Sequence, residues 1–508
     1  MTLLELIGRG GDLDHAIESP GREPLAYGEV RSQVERTVVT LATFGLGPGD
    51  RVAIVLPGGP ELVTALLGVA SAAAAAAPLN PAYRSEEFEH YLADLGASAV
   101  LTCEAAGQHV HAAASALGVP VVHVNVSDGA PAGAFELELL TRRHQPASIR
   151  PRPARAADTA LLLHTSGTTS RPKLVPLAHA KLVASADSVA RTLRLDGADR
   201  CLTVMPLFHI HGIVGAALAT LGTGGSVLCT GFNAFRFLDW LREMRPTWTT
   251  AVPTMYQAVL ARLRDRDQRA VGHTLAFLRS SSLALAPALM SRLEAAFDVP
   301  VIEALGMTEA AHQVASNPLP PDQRRPGSVG IAAGADVAVV GTGGVVRPSG
   351  SGELVVRGPA VFDGYENNPE ANASAFVDGW FRTGDSVVID EAGYVTIVGR
   401  IKELINRGGE KIGPREIEDV LLDHPAVEQA VAFPMPHPTL GDDVAAAVVL
   451  DTPTAATPAE LREHVRRRLA AFKVPHSLLV VDEIPVGPTG KPQRLKLATL
   501  FGLTTAGD

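Results

Sequence analysis

Thr159-Ala-Leu-Leu-Leu-His-Thr-Ser-Gly-Thr-Thr-Ser-Arg-Pro-Lys173 carries the clearest structural signal of the chain. Its first six residues form an apolar run that is typical of a buried strand. The run then changes into hydroxyl side chains, a glycine and a lysine, which indicates a loop. Such a loop offers backbone and hydroxyl donors together with a cation, the groups that surround and neutralise a polyphosphate. The Walker spacing is absent, and the loop alone is also compatible with a polar surface turn.

Short apolar runs like this one recur on both sides of the segment and alternate with helical patterns such as Ser85 to Leu95. This alternation predicts parallel α/β layers, with catalytic loops at the carboxyl ends of the strands. The predicted strands are Arg51–Pro57, Ala99–Thr102, Val121–Val124, Arg200–Met205 and Ser226–Cys229.

The composition and the predicted secondary-structure pattern of the sequence change twice towards the C-terminus. From about Gly327 it becomes rich in glycine with short alternating strands, which predicts a small distorted β-barrel over 327–399. Beyond it, helices and strands mix again. We therefore expect a large N-terminal domain of layered α/β subdomains over 1–399, and a small, mobile α+β domain over 400–508 with a hinge near 400–402.

Composition excludes several classes of protein. The 508 residues are 46% hydrophobic and 19% charged, with a formal charge of -10, and no dense basic run tracks a phosphate backbone. We expect no nucleic-acid partner. Three cysteines without metal-ligand spacing predict buried, reduced thiols, and the N-terminus does not resemble a signal peptide, so we expect a cytoplasmic protein. The apolar stretch from Leu62 to Leu79 is mostly alanine and predicts an internal helix rather than a membrane span.

The loop ending at Lys173 resembles the phosphate loop of the acyl- and aryl-CoA synthetase, adenylation-domain and luciferase superfamily. Further motifs follow in that superfamily's order across nearly the whole chain. They are Met205-Pro-Leu-Phe-His-Ile-His-Gly212, Leu305-Gly-Met-Thr-Glu309, Trp380-Phe-Arg-Thr-Gly-Asp385, Gly399-Arg-Ile-Lys-Glu-Leu-Ile-Asn-Arg-Gly-Gly-Glu-Lys-Ile-Gly413 and Pro488-Thr-Gly-Lys491. The resemblance implies an enzyme that uses ATP to convert a carboxylic acid into an acyl-adenylate, releasing pyrophosphate, and then transfers the acyl group to coenzyme A.

The motifs assign nucleotide-binding roles to individual residues. Glu309 is the expected Mg²⁺ ligand beside the triphosphate, because its carboxylate suits this cation. Asp385 is expected to accept hydrogen bonds from the ribose, with Arg400 as its partner. The resemblance implies that Lys491 stabilises the charge that develops during adenylation. The remaining nucleotide-site residues are Thr165, Ser166, Gly167, Thr168, Thr169, Lys173, Ser282, Glu303, Ala304, Leu305, Gly306, Thr308 and Lys402, of which Thr308 is also counted as catalytic and Lys402 matches the hinge.

The acid is expected to be small and doubly charged. The segments around His209, Arg279 and Met307 resemble the oxalate–CoA ligase branch, which lies near the 4-coumarate ligases. A pocket for a small dianion should be short and carry hydrogen-bond donors, whereas a fatty-acyl tunnel should be apolar. The polar residues expected there are His209, His211, Ser281, Ser282 and His312, and His209 is also a catalytic candidate.

Two departures from the family pattern keep alternatives open. Leu174 stands where the family usually has glycine after the loop lysine, and Ala72–Ala77 replaces a more mixed segment. An aryl or alkyl acid, a small inorganic oxyanion such as nitrite, or an acceptor other than coenzyme A therefore remains an alternative. A nucleotide-binding scaffold without catalytic activity is a further one. We expect a monomer or a homodimer.

Overall fold

The computed structural model describes residues 1–140, 149–165, 172–264, 269–341, 343–452, 455–487 and 492–503, with the backbone alone at 264. These residues form four sheets covered by helices. The α-helices of five or more residues are Leu3–Ile7, Tyr27–Thr43, Pro60–Ser71, Ser85–Leu95, Gln108–Leu117, His179–Thr192, Phe237–Glu243, Pro253–Arg264, Pro287–Phe297, Pro369–Ala375, Pro414–Leu422, Pro458–Arg466 and Arg494–Leu500.

Two large, mainly parallel sheets form the body of the N-terminal region. The seven-stranded sheet has antiparallel strands at both edges, in the order Glu136–Leu139, Val121–Asn125, Ala99–Thr102, Arg51–Val55, Ala75–Pro78, Thr159–His164 and Leu174–Ala178. The nine-stranded sheet has the order Ile331–Ala332, His312–Ser316, Val301–Met307, Phe277–Ser280, Trp248–Ala251, Arg200–Thr203, Ser226–Cys229, His15–Glu18 and Leu25–Ala26. The alternation of strands and helices in the sequence therefore gives the predicted α/β layers.

The two remaining sheets belong to the C-terminal third of the chain. The six-stranded antiparallel sheet contains Asp336–Val340, Val346–Arg347, Gly350–Arg357, Phe376–Val377, Trp380–Ile389 and Val395–Arg400. The last sheet contains Ile405–Arg407, Glu410–Ile412, Val427–His437, Gly441–Leu450 and Ser477–Val480. A single 3-10 turn, Ile401–Glu403, connects the two sheets and includes the predicted hinge residue Lys402, which is exposed.

The alanine-rich segment is not one helix, and the prediction of a continuous helix from Leu62 to Leu79 was wrong. The helix ends at Ser71, Ala73 adopts a left-handed backbone with φ 58°, and Ala75–Pro78 forms a fully buried strand. That strand pairs in parallel with Arg51–Val55 and Thr159–His164. A strand buried on both faces is selected by its neighbours, so tertiary context overrides the helix propensity of alanine.

Within the described ranges, no helix has both the length and the apolar character that are needed to cross a bilayer. Two of the three cysteines, Cys201 and Cys229, are buried, and Cys103 is partly exposed. Burial raises the pKa of Cys201 to about 12. These thiols therefore contribute to packing as small apolar groups.

Candidate active site

The two ends of the predicted phosphate loop lie against each other. Thr165 donates its backbone N–H to the carbonyl of Lys173 at 2.8 Å, and Lys173 donates its backbone N–H to Thr165 Oγ1 at 3.3 Å. The loop residues between them, Ser166, Gly167, Thr168 and Thr169, lie outside the described residues. These two hydrogen bonds bring Thr165 and Lys173 together at the end of the strand Thr159–His164.

Leu174 faces the protein core. Its side chain is buried in the cluster beneath the seven-stranded sheet, and its carbonyl accepts a hydrogen bond from the backbone of Glu366 at 2.9 Å. The side chain that replaces the family's usual glycine therefore packs into the interior.

Tyr365 connects the loop lysine with the predicted metal ligand. Its hydroxyl donates to Glu309 Oε1 at 2.9 Å, and Lys173 Nζ lies 4.3 Å from the centre of its ring. Burial, followed by the Glu309 carboxylate, raises the pKa of Tyr365, so the phenol remains a donor. Glu309 and Thr308 belong to the 3-10 turn Thr308–Ala310, and both are partly exposed.

Asp385 and Arg400 form an ion pair on adjacent strands. They are register partners in the antiparallel sheet, and Arg400 Nε lies 2.8 Å from Asp385 Oδ1. Arg400 also donates to the carbonyl of Thr383 at 3.2 Å. Asp385 chiefly raises the pKa of Arg400, and Glu309 adds to this effect. The expected pairing is therefore present, while the ribose-binding role of Asp385 stays a prediction.

The side chain of Glu303 is directed towards the C-terminal region. It is buried, accepts a hydrogen bond from the backbone of Leu285 at 3.1 Å, and pairs with Arg415 at 3.1 Å. The Glu303 side chain is therefore occupied by this pairing, and the contact of the Glu303–Gly306 segment with adenine stays a prediction. Gly306 is also required for packing, because a Cβ atom there would lie 2.6 Å from His312 Nδ1.

Four of the predicted acyl-pocket residues form a polar cluster: His211, Ser281 and His312 are buried, and Ser282 is partly exposed. His211 Nδ1 lies 3.0 Å from Ser282 Oγ, and its Nε2 lies 2.7 Å from Thr250 Oγ1. The His211 ring stacks on that of His312 with a centroid distance of 5.0 Å. Ser281 is fully buried, and its hydroxyl has no partner in the described structure. The cluster thus contains several hydrogen-bonding groups.

Backbone strain coincides with this cluster. Ser282 has φ 73°, Ala311 has φ 49° and His312 has φ 112°, although none of them is glycine. Non-glycine residues rarely adopt such angles, and those that do gather at functional sites. The strain supports a functional use of these residues.

Two further predicted residues are His209 and Lys491. His209 is partly exposed and caps the turn Ile210–Gly212, and its ring packs on Phe208 with a centroid distance of 4.7 Å. Lys491 lies outside the described residues. Its catalytic role stays a prediction from its motif.

Three residues of the site were not predicted from the sequence: Tyr365, Arg415 and Arg279. Arg279 is fully buried, donates to His312 Nε2 at 3.1 Å and donates to Gln313 Oε1 at 3.0 Å. The one available signal was its position in a segment that resembles the oxalate–CoA ligase branch. The other two depend on contacts between segments that are distant in the sequence.

Family models match both parts of the chain. The model of the AMP-binding enzyme matches residues 12–366, and that of the AMP-binding enzyme C-terminal domain matches residues 416–491. The chain therefore belongs to the AMP-binding enzyme family.

Individual relatives extend this assignment. The chain is 40% identical to an oxalate–CoA ligase of Arabidopsis thaliana over 506 residues, covering 98% of each sequence. It is 37% identical to a sulfoacetate–CoA ligase of Cupriavidus necator, covering 96% of this chain and 94% of that protein. The crystal structure of ATP-bound MatB from Rhodopseudomonas palustris has a TM-score of 0.85 at 30% identity, with 99% of each chain covered. These matches confirm the predicted superfamily, the α/β fold class and the prediction of an AMP-forming acid–thiol ligase.

Proposed function

We propose that this chain is an ATP-dependent oxalate–CoA ligase. One carboxylate of oxalate attacks the α-phosphorus of ATP, the bond to the β-phosphate breaks, and pyrophosphate leaves. The thiol of coenzyme A then displaces AMP and forms the thioester. The observation that carries the choice of acid is the polar cluster of the buried residues His211, Ser281 and His312 with the partly exposed Ser282, where a fatty or aryl chain would require apolar walls.

The relatives support a small acid with two anionic groups. The acids in the names of the two relatives described above, oxalate and sulfoacetate, share this feature. A second anionic group needs hydrogen-bond donors that are already oriented and buried, because charged hydrogen bonds are strongest away from water. Ser281 offers a buried hydroxyl that has no partner in the described structure, and Ser282 offers a partly exposed hydroxyl that is oriented by His211.

The proposed binding site of ATP is formed by the residues around Tyr365. Thr165 and Lys173 would bind the phosphates, and Asp385, held by Arg400, would accept the ribose hydroxyls. Lys491 is assigned to the α-phosphate and the reacting carboxylate, where its charge would stabilise the transition state. The adenylation step needs no general base, because the attacking carboxylate is already ionised near neutral pH.

Glu309 is the proposed ligand of Mg²⁺. The described residues contain no group of three or more His, Cys, Asp or Glu side chains that could hold a metal on their own. Glu309 is partly exposed, and its carboxylate is oriented by the hydrogen bond from Tyr365. A single carboxylate of this kind would suit an ion that is bound mainly by phosphate oxygens. When bound, such an ion would offset the negative charge of the phosphates.

A pyrophosphate-release panel tests the proposed acid. Purified enzyme with ATP and Mg²⁺ is offered oxalate, sulfoacetate, an aryl acid, an alkyl acid and nitrite, each with and without coenzyme A. We expect the highest kcat/KM for oxalate. A strong response to the aryl or alkyl acid with none to oxalate would refute the proposal.

A further inference from the structure

Arg279 is a buried cation without an acidic partner. It is 0% exposed, and in the described structure its guanidinium contacts two neutral side chains, His312 and Gln313, and no carboxylate. Its Nε is also fully buried and has no hydrogen-bond partner there. Burying an unpaired charge is unfavourable, so proteins rarely retain one without a use.

Arg279 determines the state of His312. A guanidinium can only donate hydrogen bonds, so Nε2 of His312 must accept, and the ring proton of neutral imidazole is then on Nδ1. Burial, followed by the charge of Arg279, lowers the pKa of His312 well below its usual value, so the ring stays neutral. Nδ1 lies beside Gly306, on the strand that leads to Thr308 and Glu309. His312 is therefore held as a neutral Nδ1–H donor.

Gln313 holds Arg279 from the other side. Its amide oxygen accepts from Arg279, while its nitrogen donates to Ser188 Oγ at 3.3 Å and Thr192 Oγ1 at 3.1 Å. Gln313 is itself 0% exposed. The guanidinium is thus fixed by a neutral residue that leaves its positive charge uncompensated.

We propose that Arg279 is the specificity-determining positioning residue of the acyl site, which favours an acid with a second negative charge by fixing His312 as a donor and placing a positive charge behind it. This inference rests on the proposed function. A dianionic substrate would supply the negative charge that the protein withholds. An acid with a neutral distal group would leave the charge of Arg279 unbalanced.

The test compares oxalate with oxamate, which has nearly the same shape but a neutral amide at its far end. Gln313→Glu is the main variant, because it retains the size of the side chain and the bond to Arg279 while adding the missing negative charge. The Ser188 hydroxyl can rotate to donate to the new carboxylate, whereas Thr192 would have to give up its hydrogen bond to the carbonyl of Ser188 at 2.8 Å. Arg279→Gln removes the charge directly, and Arg279→Lys retains it.

We expect Gln313→Glu and Arg279→Gln to reduce the oxalate-over-oxamate ratio of kcat/KM by about 10- to 100-fold, mainly through the KM of oxalate. Arg279→Lys should retain much of the ratio. If Arg279 had a structural role only, the substitutions would lower kcat/KM for oxalate and for oxamate together and leave their ratio unchanged. If Arg279→Gln fails to fold, as judged by its melting temperature, the Gln313→Glu result decides alone.

The outcomes separate this inference from the proposed function. A wild-type enzyme that prefers monocarboxylic acids would refute the proposed function. A wild-type enzyme that prefers oxalate, together with an unchanged ratio in a folded Gln313→Glu variant, would refute the role of Arg279 alone.

Discussion

Arg415 and Glu303 form a buried ion pair that joins the small C-terminal region to the strand of the predicted adenine site. Arg415 Nη2 lies 3.1 Å from Glu303 Oε1, and the two side chains are 8% and 1% exposed. Their sequence positions differ by 112 residues. The pair exists only while the helix Pro414–Leu422 lies against the N-terminal body, so a rotation about Lys402 must break it.

Removing the guanidinium should loosen this contact. Arg415→Met leaves Glu303 buried and unpaired, and we expect a loss of about 3–5 kcal/mol, which is typical of a broken buried ion pair. Thermal unfolding and the rate of proteolysis near residues 400–402 measure the effect. Arg467→Met is the matched control, because the Arg467–Glu463 pair is exposed and should contribute less than about 1 kcal/mol. Equal effects of the two variants would contradict the assignment.

The same pair predicts a dependence of stability on pH. Burial raises the pKa of Glu303 from 4.5 to about 7, against the opposing effect of Arg415. The folded protein therefore binds this proton more tightly than the unfolded chain, so the contribution of Glu303 to stability decreases as the pH rises from about 4.5 to about 7. Melting temperatures of the wild type and Glu303→Gln are measured across this window. The melting temperature of the wild type should fall relative to that of the variant as the pH rises.

Asp419 should leave a weaker dependence of the melting temperature on pH in the Glu303→Gln variant. Burial raises its pKa to about 6, and it lies 3.7 Å from the same guanidinium, so its contribution has the same sign. Identical pH profiles for wild type and variant would contradict the assigned titration of Glu303.

Tyr365→Phe should impair adenylation specifically. The variant retains the ring beneath Lys173 but removes the hydrogen bond to Glu309, so we expect about a 10-fold lower kcat/KM in pyrophosphate exchange and a higher Mg²⁺ requirement. Tyr394→Phe is the control, because its hydroxyl donates at 2.5 Å to the carbonyl of Gln323 and does not contact Glu309. A Tyr365→Phe enzyme with an unchanged response to Mg²⁺ would contradict the proposed ligand.

Lys491 and Lys402 should separate the two half-reactions. Lys491→Ala should slow adenylation by several orders of magnitude yet leave thioester formation from supplied acyl-adenylate largely intact. Lys402→Pro should impair domain rotation, giving normal pyrophosphate exchange with a poor yield of thioester. Parallel losses in both steps for Lys491→Ala would refute its assigned role.

The sequence predicted the layers and most strands because buried strands are short, apolar and separated by turns. Thr159–His164 and Ser226–Cys229 were predicted with the bounds that the structure has. The alanine-rich segment was predicted wrongly, because the strand Ala75–Pro78 is defined by the two strands beside it and not by its own propensity.

The site was predictable where a local motif carries the chemistry. Asp385 and Arg400 belong to such motifs, and their ion pair is present. Arg279 was not predicted, because an arginine within an apolar strand acquires meaning only when its burial and lack of an acidic partner are known. Such information depends on packing, which the sequence pattern does not contain.

The most direct test of the account is the stoichiometry of the complete reaction with oxalate. Enzyme, ATP, Mg²⁺, coenzyme A and oxalate are combined, and the loss of free thiol is measured together with the formation of AMP. We expect one thiol to be consumed for each AMP formed, with both changes dependent on oxalate. Formation of AMP without loss of thiol, or loss of thiol only with a monocarboxylic acid, would contradict it.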